Sequence, residues 1–124
     1  DLVRSRGLGD VYKRQLLLFR LYLDKRYLVN NHLYMMRSKN PNGPWEKWNG
    51  SSWGGNNPMP IVTYTGTPKK FGVGEPSMVV LDNTVYINYS WNDKEVSTRL
   101  ATVLTDDPHW PAHLNQRGTV IYKG

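Results

Sequence analysis

An all-β fold is what this sequence of 124 residues predicts, and three observations lead there. The apolar residues fall in short runs of strand length, bounded by clusters of Gly, Pro, Asn and Asp. Tryptophan and tyrosine are abundant and phenylalanine scarce, as suits half-buried pleated surfaces. The clearest stretch, Gly72 to Trp91, reads as a complete antiparallel hairpin. In it Met78 to Leu81 is a short apolar run, Asp82-Asn83 is a turn, and Val85, Ile87 and Tyr89 alternate with Tyr86, Asn88 and Ser90 in the period of two that a strand requires.

The remaining elements follow in chain order. Residues 1–15 have no apolar periodicity and resemble a translated sequencing adapter, so they are expected to be a non-native, irregular or disordered leader, with residues 16–124 as the domain. The leader carries four basic and two acidic residues, hence +2 of the net +6, and the remaining +4 over 109 residues is ordinary. Leu16 to Leu23 is an apolar run of strand length, although its leucine content leaves a helix open. The polar connection Asp24 to Asn31 leads to a second strand, His32 to Ser38. Lys39 to Trp45 is dense in turn residues, and Glu46 to Pro60 is a loop carrying Trp48 and Trp53. Ile61 to Thr65 is expected to be a further strand, and Gly66 to Gly74 the loop that delivers Glu75. After the central hairpin come a strand over Val96 to Leu104, a loop through Asp106-Asp107-Pro108 and Trp110, and a last strand, Thr119 to Tyr122.

These elements repeat. Lys39-Asn40-Pro41 then Trp45 corresponds to Asp106-Asp107-Pro108 then Trp110, and Val62 to Gly66 corresponds to Val120 to Gly124, with a longer intervening loop in the first copy. Each copy is a set of short antiparallel strands, about 16–66 and about 75–124.

Gly-Glu-Pro-Ser at 74–77, the apolar strand after it, the Asp-Asn turn and Val-Tyr-Ile-Asn-Tyr-Ser at 85–90 together resemble the two inner strands of one blade in the five-bladed β-propeller glycoside hydrolases of families 43 and 32. The resemblance implies antiparallel four-stranded blades, about two of five, and a carbohydrate substrate. An acidic residue directly before proline opens the innermost strand in those families, and Glu75 stands there. It is aspartate that usually precedes the proline in family 43, so the resemblance leaves Glu75 as either the general acid or the carboxylate that tunes it. It also allows a calcium in the channel of a complete propeller, although no ligand for one is identifiable and no cofactor is otherwise expected. Activity in a secreted or periplasmic protein is the further implication.

Glycosidic cleavage needs two carboxyl groups flanking the bond. Antiparallel counting puts Asn92 to Glu95, the loop from Asp24 to His32, and Thr67 to Phe71 at the same end as Glu75. Asp93, Asp24 and His32 are therefore candidate substrate contacts. Trp91 and Phe71 are candidates for stacking on a sugar ring, with core or rim packing as the alternative. Trp45, Trp48, Trp53 and Trp110 fall at the opposite end, where they read as packing residues.

Other chemistries find less support. The sequence has no cysteine, and His32, His109 and His113 lack metal-ligand spacing. Gly72-x-Gly74 precedes a strand and not a helix, against a phosphate loop. Arg37, Lys39, Lys69 and Lys70 are split between two ends, against a nucleic-acid surface. No apolar run reaches the roughly 18 residues of a membrane helix, which predicts a soluble protein. Asn49-Gly50-Ser51 matches a glycosylation sequon. A non-catalytic propeller that binds glycan or protein is the competing reading, and two open blades predict an inactive, adhesive fragment.

Overall fold

A computed structural model describes residues 2–4, 17–25 and 30–122. Among them are eight strands: β1 (Leu2–Arg4), β2 (Leu18–Lys25), β3 (Asn31–Ser38), β4 (Glu46–Lys47), β5 (Gly72–Leu81), β6 (Thr84–Asn92), β7 (Val96–Leu104) and β8 (Asn115–Tyr122). They form an open, mostly antiparallel sheet in the order β1-β2-β3-β5-β6-β7-β8, with β4 on the edge of β3.

The sheet is two meanders joined at one point. β5 to β8 pair consecutively and antiparallel, as do β2 and β3. Between them β3 and β5 share a single parallel pair, Asn31 with Gly72, supported by the Asn31 N–H donating to the Phe71 carbonyl at 3.0 Å. Gly72 has φ +89°, and a Cβ there would stand 2.7 Å from the Asn31 carbonyl oxygen. Only glycine lets the second meander begin so close to the first.

The leucine-rich run is a strand, not a helix, because its alternation matches a sheet buried on one face. Phe19 and Leu21 are buried and Arg20 between them is exposed, while Leu21 pairs with the buried Met35 across the ladder. In the second meander Val85, Ile87, Tyr89 and Trp91 turn inward beside Ala101, Val103 and Met78. The inner faces of both meanders contribute to one core. Asp82 and Asn83 both adopt positive φ, +47° and +66°, the backbone of a two-residue turn whose twist suits a hairpin.

Two expectations need correction. Leu2–Arg4 is paired with Leu18 to Arg20, so this triplet is not irregular, while the rest of 1–15 lies outside the described residues. Ile61 to Thr65 is not a strand: Val62 forms one isolated bridge to Leu33, with the Leu33 N–H donating to the Val62 carbonyl at 2.9 Å. The reason is that the outer edge of β3 is divided among three short segments. Glu46–Lys47 takes Met36 and Arg37, Val62 takes Leu33, and Gly72 takes Asn31.

Candidate functional site

The site is built around an irregularity in β5. The ladder with β6 steps from Gly74–Ser90 to Ser77–Asn88, so Glu75 and Pro76 together stand opposite Tyr89. Two residues against one is a β-bulge, and proline belongs there because it has no N–H to give to the ladder. Glu75 sits at φ +43°, in the left-handed region that non-glycine residues seldom occupy. The bulge frees its side chain from the regular alternation, and the residue is exposed. Its carboxylate makes no ion pair or hydrogen bond with the described residues.

Glu75, Pro76 and Ser77 form one wall of an open cleft of about 570 Å3, and Arg20 to Leu23 of β2 form the other. Arg20 and Tyr22 are the polar members on the β2 side, and neither was singled out from the sequence. Arg20 did carry a signal, as the one charge interrupting an apolar run. The Tyr22 hydroxyl is buried without a hydrogen-bond partner among the described residues. Burial, then the charges of Asp24 and Tyr34, push its pKa up to about 12. Tyr22 is therefore neutral across the physiological range, and its ring stacks on Tyr34 at 5.3 Å.

The other candidates do not converge on this cleft. Asp24, the last residue but one of β2, is exposed and accepts from the Lys25 N–H at 2.8 Å. His32 is buried, and its Nδ1 accepts from the Tyr64 N–H at 2.9 Å, so it anchors the segment after Val62 to β3. Asp93 anchors the same segment from the other side, accepting from the N–H groups of Thr67 at 3.2 Å and Lys94 at 2.8 Å. Hydrogen bonding from the Thr67 side chain is the largest cause holding the Asp93 carboxyl below the usual aspartate range, opposed by partial burial and aided by the Lys94 and Thr67 N–H groups. Gly66 is enclosed in this knot, where a Cβ would run into the Tyr64 hydroxyl and the Asp93 carboxylate.

The two aromatic candidates part company. Trp91 is only 6% exposed, with Arg99 over its ring at 3.8 Å from the centroid and Tyr64 at 4.7 Å, which is core packing. Phe71 is 53% exposed, just before the junction at Gly72, and its ring lies near Gly74. Among the sequence candidates, then, Glu75 alone lines the cleft, and Phe71 is the exposed aromatic closest to it along the chain.

The Arg37 guanidinium pairs with Glu46 at 3.1 Å and lies over the Trp53 ring at 4.6 Å. The Asn49 side chain is likewise engaged: its Oδ1 accepts from the N–H groups of Ser51 and Ser52, and its Nδ2 donates to the Gly54 carbonyl at 3.0 Å. The sequon asparagine is thus an internal cap of its own turn.

No group of three or more His, Asp or Glu side chains able to hold a metal ion occurs among the described residues. No helix among them is long and apolar enough to cross a membrane. The chain matches no family model, no curated protein and no solved structure.

Proposed function

We propose that this chain supplies two neighbouring blades and one active-site carboxylate, Glu75, to a five-bladed propeller that hydrolyses glycosidic bonds in a polysaccharide or oligosaccharide outside the cytoplasm. The observation that carries the reading is the setting of Glu75. A non-glycine residue is kept at positive φ, in a bulge, on the wall of a cleft between two meanders. Strained backbone of this kind costs on the order of 1–3 kcal/mol, and it collects where a side chain must be aimed.

In the proposed reaction Glu75 gives a proton to the leaving glycosidic oxygen, or tunes the group that does, while a second carboxylate activates water or attacks the sugar. Asp93 and Asp24 do not line the cleft, so the second carboxylate comes from outside the described residues. Arg20 and Ser77 supply donors to sugar hydroxyls across the cleft. The four-stranded meander β5 to β8 is the unit from which a propeller is assembled, which supports the architecture. Two such units do not close a ring, so activity belongs to the assembled propeller.

The test is hydrolysis of aryl glycosides and of arabinan, xylan and fructan oligosaccharides by the complete reading frame that contains this chain, as wild type and as Glu75→Gln. A loss of about a hundredfold or more with the fold intact is expected. Equal rates would remove Glu75 from the chemistry. Because Glu75 is the only carboxylate among the described residues that line the cleft, a binding propeller is the second reading, and glycan binding by a wild type that hydrolyses nothing would favour it.

A further inference from the structure

Trp48, Trp53 and Trp110, which read as packing residues in the sequence, border a second cleft of about 400 Å3. It lies between the turn at 50–53 and the loop at 108–113. Trp48 is buried beneath it, while Trp53 and Trp110 are half-buried and meet Phe19 of the core at 5.8 and 5.5 Å. On the rim His109 and His113 are exposed and stack on each other at 4.6 Å. Ser51 and Ser52 form the other rim, also exposed.

Three features define what fits. None of the described lining residues is an acid, a lysine or an arginine, and the one charge against them, Arg37 over the Trp53 ring, is neutralised by Glu46, so the cleft favours an uncharged ligand. The Ser52 hydroxyl and both imidazole rings make no hydrogen bonds with the described residues, so these groups, each able to donate and accept, are left to a ligand. The indoles provide an apolar surface next to them. Apolar surface beside two-way hydrogen-bonding groups matches a sugar ring, which presents C–H faces and hydroxyl edges.

We infer that the cleft between the Trp48–Trp53 turn and the His109–His113 loop is a binding site for a neutral saccharide, separate from the Glu75 cleft. The inference rests on the lining of this cleft and not on the hydrolytic reading of Glu75.

The test uses the 124-residue chain and the indole N–H signals of its five tryptophans in nitrogen-edited NMR spectra. Neutral xylo-, arabino- and fructo-oligosaccharides are titrated into wild type, Glu75→Gln and the surface double variant His109→Ala/His113→Ala. The expected result is saturable shifts of the Trp53 and Trp110 signals, with Trp91 unmoved, the same affinity in Glu75→Gln and at high salt, and binding weakened about two- to tenfold in the double variant. A second variant, Ser52→Trp, fills the cleft from an exposed position and abolishes the shifts while leaving the spectrum of the core intact. The inference is overturned if no saccharide moves these signals, if the double variant and Ser52→Trp bind as wild type does, or if a proline-rich peptide moves them and the saccharides do not.

Discussion

At the scale of single residues the backbone of Glu75 is the sharpest statement the molecule makes. An L-residue in the left-handed region costs about 1–2 kcal/mol, a cost glycine escapes while giving up roughly 0.5–1 kcal/mol in chain entropy. Glu75→Gly is therefore expected to leave thermal stability unchanged or raised by about 1 kcal/mol. A clear fall in melting temperature would mean that the carboxylate holds the fold together, which its lack of partners argues against. An irregular backbone at Gly74-Glu75-Pro76 was legible in the sequence, but as the opening of a strand after a loop over Gly66 to Gly74, whereas β5 begins at Gly72 and Glu75 stands in a bulge within it. Its neighbours across the cleft were not. Arg20 and Tyr22 share a cleft with Glu75 only because the fold brings β2 near β5 across the intervening β3, a relation that no local pattern encodes. The burial of Trp91 was hidden for the same reason, as its ring is covered by Arg99 on β7 and by Tyr64 from a distant loop.

At the scale of elements, alternation and turn chemistry were enough for the central hairpin, because Asp82-Asn83 and the period of two in Val85 to Tyr89 act locally. They failed for Ile61 to Thr65, whose residues suit a strand but whose partner edge on β3 is already shared out. That segment is held by side chains instead. His32 grips it through the Tyr64 N–H, and Asp93 grips it through Thr67. The Asp93 carboxyl has its folded-state pKa depressed, so its contribution to stability is present in full above its unfolded-state pKa and is lost as pH falls through the folded-state value. Comparing urea midpoints of wild type and Asp93→Asn across the acid range should show a gap at neutral pH that closes as the solution is acidified below the ordinary aspartate range. A gap independent of pH would show that the ionised form does not tie this segment to the β6–β7 turn.

At the scale of the whole molecule the two faces of the second meander differ in kind. The inner face joins the core, while the outer face carries Val79, Leu81, Leu104 and Ile121, all exposed, with Ile121 at 62%. The ladder places them on one side: Leu81 and Leu104 flank Thr84, Val79 lies one side-chain step from Leu81, and Ile121, across from Thr98, lies three steps from Leu104. Beside this face β8 ends the ordered path of strands. An apolar face next to a strand edge is a template for association, and in a closed propeller a neighbouring blade would cover it. The isolated chain is thus expected to self-associate with rising concentration in sedimentation velocity, and Leu81→Lys/Leu104→Lys to hold it monomeric. A wild type that stays monomeric throughout would deny that this face seeks a partner. The central claim, that the strained carboxylate of β5 belongs to a glycosidase, is tested most directly by measuring hydrolysis and thermal midpoint together on wild type and Glu75→Gln of the complete reading frame that contains this chain. A rate reduced about a hundredfold at an unchanged midpoint is the predicted result. Undiminished hydrolysis by the variant would contradict the claim.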